Sequence, residues 1–216
     1  MARILITSGP TRQYLDPVRY LTNASSGRMG AALAQAALEL GHEVVVVSGP
    51  VEVDYPAAAR VVPVVSTEEM LEAAQHEFEA ADGLIGAAAP CDYRPRLVAE
   101  HKIAKTGEPL ELRLVETDDV VATLAADKVH PERGQRWVVG FALETEDHRL
   151  RALAKLERKH CDLMVSNGAA AMNSETNDVE VLTPTGDVLG HFVGPKEEVA
   201  RGILSVIQAR LIEGPR

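Results

Sequence analysis

The 216-residue sequence is poor in the features that mark specialised protein classes. It holds two cysteines, Cys91 and Cys161, with neither CxxC spacing nor a companion Cys/His cluster. That argues against a disulfide scaffold and a zinc site and fits a reducing compartment. No apolar run approaches the ~18 residues of a membrane span, and Met1 to Thr7 lacks the apolar core of a secretion signal. A soluble cytoplasmic chain with no membrane partner is expected. Aromatic residues make up only 4%, and basic residues are outnumbered, 22 Lys and Arg against 32 Asp and Glu, for a net charge of −10. A field of that sign repels polyanions, so no nucleic acid is expected as partner. The composition is otherwise that of an ordinary globular protein, with 46% hydrophobic and 25% charged residues.

Apolar runs and helical periodicities alternate along the chain. Ile4-Leu5-Ile6 reads as a buried strand cut at Ser8-Gly9-Pro10. Small and apolar residues at helical spacing from Ser26 to Leu40, with Ser25 or Ser26 as N-cap and Gly41 as C-cap signal, predict a helix. Glu43 to Ser48 carries Val44-Val45-Val46-Val47, apolar on both faces as a central parallel strand requires. Val61 to Val65 is an edge strand because of Pro63, and Thr67 opens a capped amphipathic helix through Phe78. Gly83 to Ala89 and Trp137 to Phe141 are further strands, as is Leu163-Met164-Val165, with helices over Asp119–Lys128, Asp147–His160 and Lys196–Ile212. Leu110, Leu112 and Leu114 alternate with polar residues as a half-exposed flap, and Val179–Leu182 and Val188–Leu189 flank a turn as a hairpin. The expected fold is α/β: a Rossmann-like parallel sheet flanked by helices, with a small antiparallel flap and hairpin lobe for dimerisation. One Rossmann-like domain over 1–216 is expected, with the flap inserted at about 96–115 and 178–190. Such a sheet puts its ligand crevice at the carboxyl ends of the strands.

The first strand–helix connection is the most informative segment. Ser8 and Gly9 end the strand, and Asn23-Ala24-Ser25-Ser26-Gly27-Arg28-Met29-Gly30 opens the helix. Glycines beside a helix N-terminus let backbone N–H groups approach phosphate oxygens, and the helix dipole favours the anion. The competing reading is that Gly27 and Gly30 serve close helix–sheet packing. The spacing is not GxGxxG, and the second strand ends on Ser48-Gly49-Pro50 where dinucleotide enzymes usually carry an acid for the ribose. Between strand and helix lie Arg12, Arg19 and Asn23 in a loop of about a dozen residues, longer than a minimal βα turn of ~2–6. Their guanidiniums suit a phosphate or carboxylate, and the amide suits a reacting carbonyl; a solvated surface is the alternative for each arginine. After the fourth strand, Gly86-Ala87-Ala88-Ala89 leave room for a flat base, and Asp92 could hold a metal or a ribose hydroxyl, or cap a turn. Basic residues bunch at Arg94, Arg96, Lys102 and Lys105, and again at Arg149, Arg151, Lys155, Arg158 and Lys159. In an acidic chain such clusters imply an anionic ligand, most simply a triphosphate. Glu116, Asp118 and Asp119 read as helix N-terminal carboxylates or as sugar ligands.

With these residues the sequence resembles phosphopantothenoylcysteine synthetase, the ligase of coenzyme A biosynthesis, over nearly its whole length. The resemblance rests on Ile6-Thr7-Ser8-Gly9, Asp16-Pro17-Val18-Arg19-Tyr20, Asn23 to Gly30, Ala87-Ala88-Ala89, Asp92-Tyr93-Arg94-Pro95, Lys102-Ile103, Gly140 to Thr145, Lys155 to Lys159, and Ser174-Glu175-Thr176-Asn177. It implies joining 4′-phosphopantothenate to cysteine with CTP and Mg2+ through an acyl-cytidylate, by a homodimer. A decarboxylase domain or partner is implied too; none precedes Met1, so a stand-alone synthetase or an excised domain is expected. Asn23 would act on the intermediate with Arg19 in the same substrate loop, and Lys102 would cover the nucleotide as a second catalytic group. The nucleotide would also meet Ser8, Gly9, Ser25, Ser26, Gly27, Gly86, Ala87, Ala88, Asp92, Asp119, Phe141, Lys155 and Lys159, with Asp92 the candidate metal ligand. The sequence departs from the bacterial pattern at Gly9-Pro10, at Lys102-Ile103-Ala104-Lys105 and at Thr117-Asp118-Asp119. An NAD(P)-dependent oxidoreductase and a non-catalytic nucleotide-binding module are the competing classes; the first lacks a Tyr-x-x-x-Lys pair.

Overall fold

The computed structural model describes residues 1–132, 134–144, 147–168 and 176–214; Thr145, Ser174 and Glu175 of the motifs above lie outside them. The chain begins with β1 (Arg3–Ser8), the ribbon β2 (Arg12–Tyr14) and β3 (Tyr20–Thr22), then α1 (Arg28–Glu39), β4 (Glu43–Ser48), β5 (Arg60–Pro63), α2 (Thr67–Phe78) and β6 (Gly83–Gly86). A second ribbon, β7 (Tyr93–Pro95) with β8 (Leu114–Glu116), precedes α3 (Val120–Ala126), and a third pairs β9 (Val129–His130) with β10 (Gly134–Gln135). Then follow β11 (Trp137–Glu144), α4 (His148–Arg158), β12 (Leu163–Gly168), β13 (Thr176–Leu182), β14 (Val188–Pro195) and α5 (Lys196–Ile207), ending in a π-helical turn at Gln208–Ile212.

One eight-stranded sheet runs in the order β14-β13-β12-β11-β6-β1-β4-β5, parallel from β12 to β5 and antiparallel at β13 and β14. Strand alternation sends Ile4, Ile6, Val44 and Val46 to the face covered by α1 and α5. Leu5, Val45, Val47 and Leu84 go to the face covered by α2, α3 and α4. Covered on both sides, these strands have no polar face, which is why they read as unbroken apolar runs. Burying each such side chain contributes about 1.5–3 kcal/mol. The chain winds one way from β1 to β5 and the other from β6 to β12, so a switch point opens beside the carboxyl ends of β1 and β6.

Several local expectations change. The N-cap of α1 is Gly27, not Ser25 or Ser26: it sits at φ 75°, a left-handed conformation that glycine adopts without steric cost. Ser25 Oγ instead accepts from Gly27 N at 3.4 Å. Ser66, not Thr67, caps α2, its Oγ accepting from Glu69 N at 3.1 Å. Thr67 is buried, bonded to Thr11 Oγ1 at 2.8 Å and to Cys91 O at 3.1 Å. The hairpin, expected as part of a separate lobe, extends the main sheet. One face of it, through Val179 and Val181, packs into the core under α5. Of the expected flap only Leu114 and Val115 fall in a strand, paired with Pro95 and Arg94 of the three-residue β7, and one further backbone bond runs from Arg96 N to Arg113 O at 2.8 Å.

Candidate active site

Two cavities meet at the switch point. The first, about 580 Å³, is walled by the loop from Thr22 to Gly30, the Ala87–Pro90 turn after β6, and side chains from β11, β12, β13 and α5. The second, about 600 Å³, lies beside it under the N-terminus of α3, and the two share Ala88, Pro90, Asp92, Phe141 and Lys155.

Of the residues singled out in the sequence, Asn23, Ser25, Ser26, Gly27, Ala87, Ala88, Asp92, Phe141 and Lys155 line the first cavity. Gly86, Asp119 and Lys159 line the second, together with four of those. Ser8 and Gly9 stand outside both linings. Ser8 is fully buried; its Oγ donates to Gly27 O at 3.3 Å and accepts from Tyr55 Oη at 2.8 Å, so it supports the loop from beneath. A Cβ on Gly30 would lie 2.0 Å from that Oγ, so only glycine lets α1 approach so near.

Asn23 is oriented by its neighbours. Its Nδ2 donates to Ala89 O at 3.2 Å and Pro90 O at 2.8 Å. Two carbonyls can only be met by the NH2 end of the amide, which turns Oδ1, an acceptor, the other way. The amide donors expected to serve an acyl carbonyl thus tie the substrate loop to the turn after β6.

Arg19 and Lys102 line neither cavity. Arg19 pairs with fully buried Asp16 at 2.6 Å and donates to Ile103 O at 2.5 Å. Asp16 also accepts from Val18 N at 2.8 Å, Arg19 N at 2.9 Å and Ile103 N at 3.1 Å. Burial alone would push this carboxyl up, but the backbone donors and the Arg19 side chain hold it well below the usual carboxylate range. The cluster ties the segment carrying exposed Lys102 to the substrate loop.

Asp119 caps α3, accepting from Ala122 N at 3.1 Å, and its other oxygen meets Lys159 Nζ at 3.0 Å. The helix-terminal reading of this residue is therefore met. Ser48 Oγ, at the end of β4, bonds Tyr55 Oη at 2.8 Å and Gly49 O, so no acid marks that strand end. Cys91 and Cys161 are both free and buried, and burial pushes the Cys161 thiol up to about 12, far from a nucleophile's range.

Sequence reasoning missed Asn167 and Lys196 and gave Asn177, quoted in a motif, no role; the three reach the first cavity from β12, the start of α5 and β13. Asn167 Oδ1 is buried there with no hydrogen-bond partner among the described residues. Lys196, 7% exposed, donates to Asn177 Oδ1. Arg28, inside a quoted motif but assigned no role, lines the same wall.

The model of the DNA/pantothenate metabolism flavoprotein C-terminal domain matches residues 1–211. The chain is 38% identical over 211 residues to the coenzyme A biosynthesis bifunctional protein CoaBC of Bacillus subtilis, covering 95% of this chain and 51% of that protein. To CoaBC of Escherichia coli it is 40% identical over 191 residues, covering 85% and 46%. The chain spans about half the length of the curated relatives it matches. The crystal structure of the C-terminal domain of CoaBC superposes with a TM-score of 0.78 at 37% identity, covering 96% of this chain and 94% of that one. A DNA/pantothenate metabolism flavoprotein from Streptococcus pneumoniae shares the fold, with a TM-score of 0.82 at 23% identity, covering 96% of this chain and 99% of that one. By its family match and its likeness to CoaBC, the chain belongs to the DNA/pantothenate metabolism flavoprotein C-terminal domain family.

Proposed function

We propose that this chain is a phosphopantothenate–cysteine ligase: it joins 4′-phosphopantothenate to L-cysteine with CTP, through an acyl-cytidylate, in coenzyme A biosynthesis. The observation that carries this reading is that Ala88, Asp92 and Lys155 stand where the two cavities join, with Asn23 in the wall of the first. Activation of a carboxylate needs it held against an α-phosphate, with cations on the departing pyrophosphate and a group ready to orient the incoming amine.

The two linings differ in charge. The first holds Arg28, Lys155 and Lys196 against Asp92 alone, so it suits the phosphates. The second holds Asp92, Glu116 and Asp118, with Asp119 engaged by Ala122 N and Lys159, against Lys155, Arg158 and Lys159, so its first three acids suit the donor-rich ribose and base. Lys155, in both walls, belongs at the α-phosphate. Lys159 serves the same nucleotide, its charge shared with Asp119, and the first turn of α1, which Ser25, Ser26 and Gly27 lead into, offers the phosphates its backbone N–H groups. The carboxylate of phosphopantothenate attacks the α-phosphorus and the bond to the β-phosphate breaks. Cysteine's amine then displaces the nucleotide from the acyl carbon. Asn23, its Nδ2 committed to Ala89 and Pro90, presents Oδ1 to that amine and accepts a hydrogen bond from one of its N–H groups, orienting the nitrogen lone pair toward the acyl carbon. Arg19, freed from Ile103 O, would turn to the acid substrate, and Lys102 would cover the phosphates.

Mg2+ fits the donor set. Asp92 and the orphaned Oδ1 of Asn167, hard oxygen donors in the cationic cavity, would hold it, since Mg2+ in nucleotide sites typically takes one or two protein oxygens plus phosphates. When bound, it would neutralise charge on the phosphates. We also read residues 1–216 as one domain acting in the cytoplasm, where thiols stay reduced, beside a decarboxylase domain or partner suggested by the bifunctional relatives; no helix of the described residues is long and apolar enough to cross a membrane. The exposed Leu97, Val98, Leu110, Leu112 and Leu114 around the β7–β8 ribbon fit a homodimer interface.

Pyrophosphate release tests the reading. It should require CTP and phosphopantothenate together and be independent of cysteine in a single turnover; release from CTP alone, or none with both present, refutes it.

A further inference from the structure

The turn that orients Asn23 is itself held from beneath. Asn23 Nδ2 donates to Pro90 O at 2.8 Å. That oxygen shares one trans peptide plane with the N–H of Cys91, which points the opposite way and donates to Thr11 Oγ1 at 2.7 Å. Thr11 and Thr67 are fully buried below the turn and line neither active-site cavity, and their hydroxyls lie 2.8 Å apart. A hydroxyl has one hydrogen to give. Cys91 O only accepts, so Thr67 gives its hydrogen there, at 3.1 Å, and Thr11 gives its own to Thr67. The bonds close into a ring, from Cys91 N through Thr11 and Thr67 back to Cys91 O, and no direction in it can reverse. Thr11 also reaches Asn23 from the other side: its backbone oxygen accepts from Thr22 Oγ1, of the residue just before Asn23, at 2.8 Å.

One buried residue thus holds both the chain leading into Asn23 and the peptide plane that Asn23 grips. We propose that Thr11, with Thr67 behind it, is the positioning residue that sets the direction of the Asn23 amide for the attack of cysteine's amine, an inference that rests on the ligase reading. In that step the cysteine nitrogen bonds to the acyl carbon, the bond from that carbon to the phosphate oxygen breaks, CMP leaves with the electron pair and the spare proton passes to water. The nucleotide side of the turn has its own support. Thr117 donates its hydroxyl to Cys91 O at 2.8 Å and its N–H to Asp92 O at 2.9 Å. Asp92, which lines both cavities, therefore stays held when the Thr11 hydroxyl is removed. The first half-reaction leans on the Thr117 side of the turn and the second on the Thr11 side.

Single-turnover measurements on the whole chain time the half-reactions separately: pyrophosphate release with CTP, Mg2+ and phosphopantothenate, then decay of the acyl-cytidylate when cysteine is added. Thr11→Val keeps the branched shape and the backbone oxygen but leaves the buried Cys91 N–H without its acceptor, a costly state that a shift of the plane relieves. Pyrophosphate release should stay within about twofold of wild type while the decay slows about tenfold or more, and Thr11→Ser should restore the decay to within about threefold. Thr67→Val removes one bond of the ring while Thr117 still holds Cys91 O, so it should slow the decay by about threefold with the same sparing of release and the same rescue by serine, and it decides the matter if Thr11→Val does not fold. A loss of stability alone scales both half-reactions alike. Equal losses in the two, an unchanged decay, or no rescue by serine overturns the proposal alone. A wild-type chain that releases no pyrophosphate from CTP and phosphopantothenate overturns the ligase reading, and this proposal with it.

Discussion

Replacing Asp119 separates its two roles, because the carboxylate caps α3 through Ala122 N and pairs with Lys159, the two side chains being 38% and 19% exposed. Loss of an N-cap costs about 1 kcal/mol. An ion pair this accessible contributes up to about 1 kcal/mol after screening. Asp119→Ala removes both, so about 1–2 kcal/mol of stability should be lost, a fall in Tm of roughly 2–8 °C for a chain of this size. Asp119→Asn keeps an oxygen for Ala122 N and loses only the charge, so its Tm should fall by less than about 4 °C. Affinity for CTP should move the other way. Without the carboxylate, Lys159 offers its full charge to the phosphates, and binding should tighten by up to about fivefold, the equivalent of about 1 kcal/mol. Thermal melts and calorimetric titration of the two variants measure both effects. A tenfold loss of CTP affinity in Asp119→Asn with an unmoved Tm would refute the reasoning: it would mean that the carboxylate itself accepts hydrogen bonds from the sugar.

Lys102→Gln should stop pyrophosphate release, whereas Asn23→Asp should still release it and accumulate acyl-cytidylate, visible by mass spectrometry of quenched reactions; an Asn23→Asp enzyme that turns over normally counts against the amine-orienting role. At pH 8 a Cys161 thiol raised to about 12 is roughly one part in ten thousand thiolate, so its iodoacetamide labelling should be slower than that of an ordinary thiol by about a thousandfold until the protein unfolds. Asp16 is held below its ordinary 3.8, so its contribution to stability is full above that value and is lost as the pH falls below it. The Tm gap between wild type and Asp16→Asn should therefore be constant from pH 7 to about 4 and shrink below; a gap independent of pH would show that only shape matters there. Light scattering at micromolar concentration should give a dimer mass, and Leu97→Asp with Leu110→Asp should give a monomer.

The central strands were legible because burial on both faces writes itself as composition: Val44 to Val47 has no polar position, and the strand occupies Glu43–Ser48 as the pattern predicts. Pro63, lacking an N–H, likewise marks β5 as the sheet edge. The hairpin misled for a related reason. Asp178, Val179, Glu180 and Val181 alternate as any half-exposed strand does, and nothing local says whether the apolar face meets a separate lobe or, as here, the helix α5. In the flap the alternation at Leu110, Leu112 and Leu114 is that of a strand, yet only Leu114 is paired within the chain. The proposed dimer interface would account for that mismatch between pattern and pairing.

The loop before α1 could be read as a helix start from its serines and glycines, and the structure gives Gly30 the close-packing role that competed with phosphate binding. What could not be read is direction. Whether Asn23 donates or accepts toward substrate depends on the Ala89 and Pro90 carbonyls, which reach it from a turn 66 and 67 residues away. Asn167, Asn177 and Lys196 come from still farther along the chain, and an asparagine in a strand carries no local mark of function. Lys196 does carry one. Helices favour acids in the first turn, and α5 supplies them at Glu197 and Glu198. A lysine set ahead of two such acids, directly after Gly194-Pro195, works against the electrostatics of its own helix. Its ammonium donates to Asn177 Oδ1 at the wall of the first cavity, and burial together with the Arg28 charge holds it below its usual range, a relation that exists only once β13 and α5 are packed together.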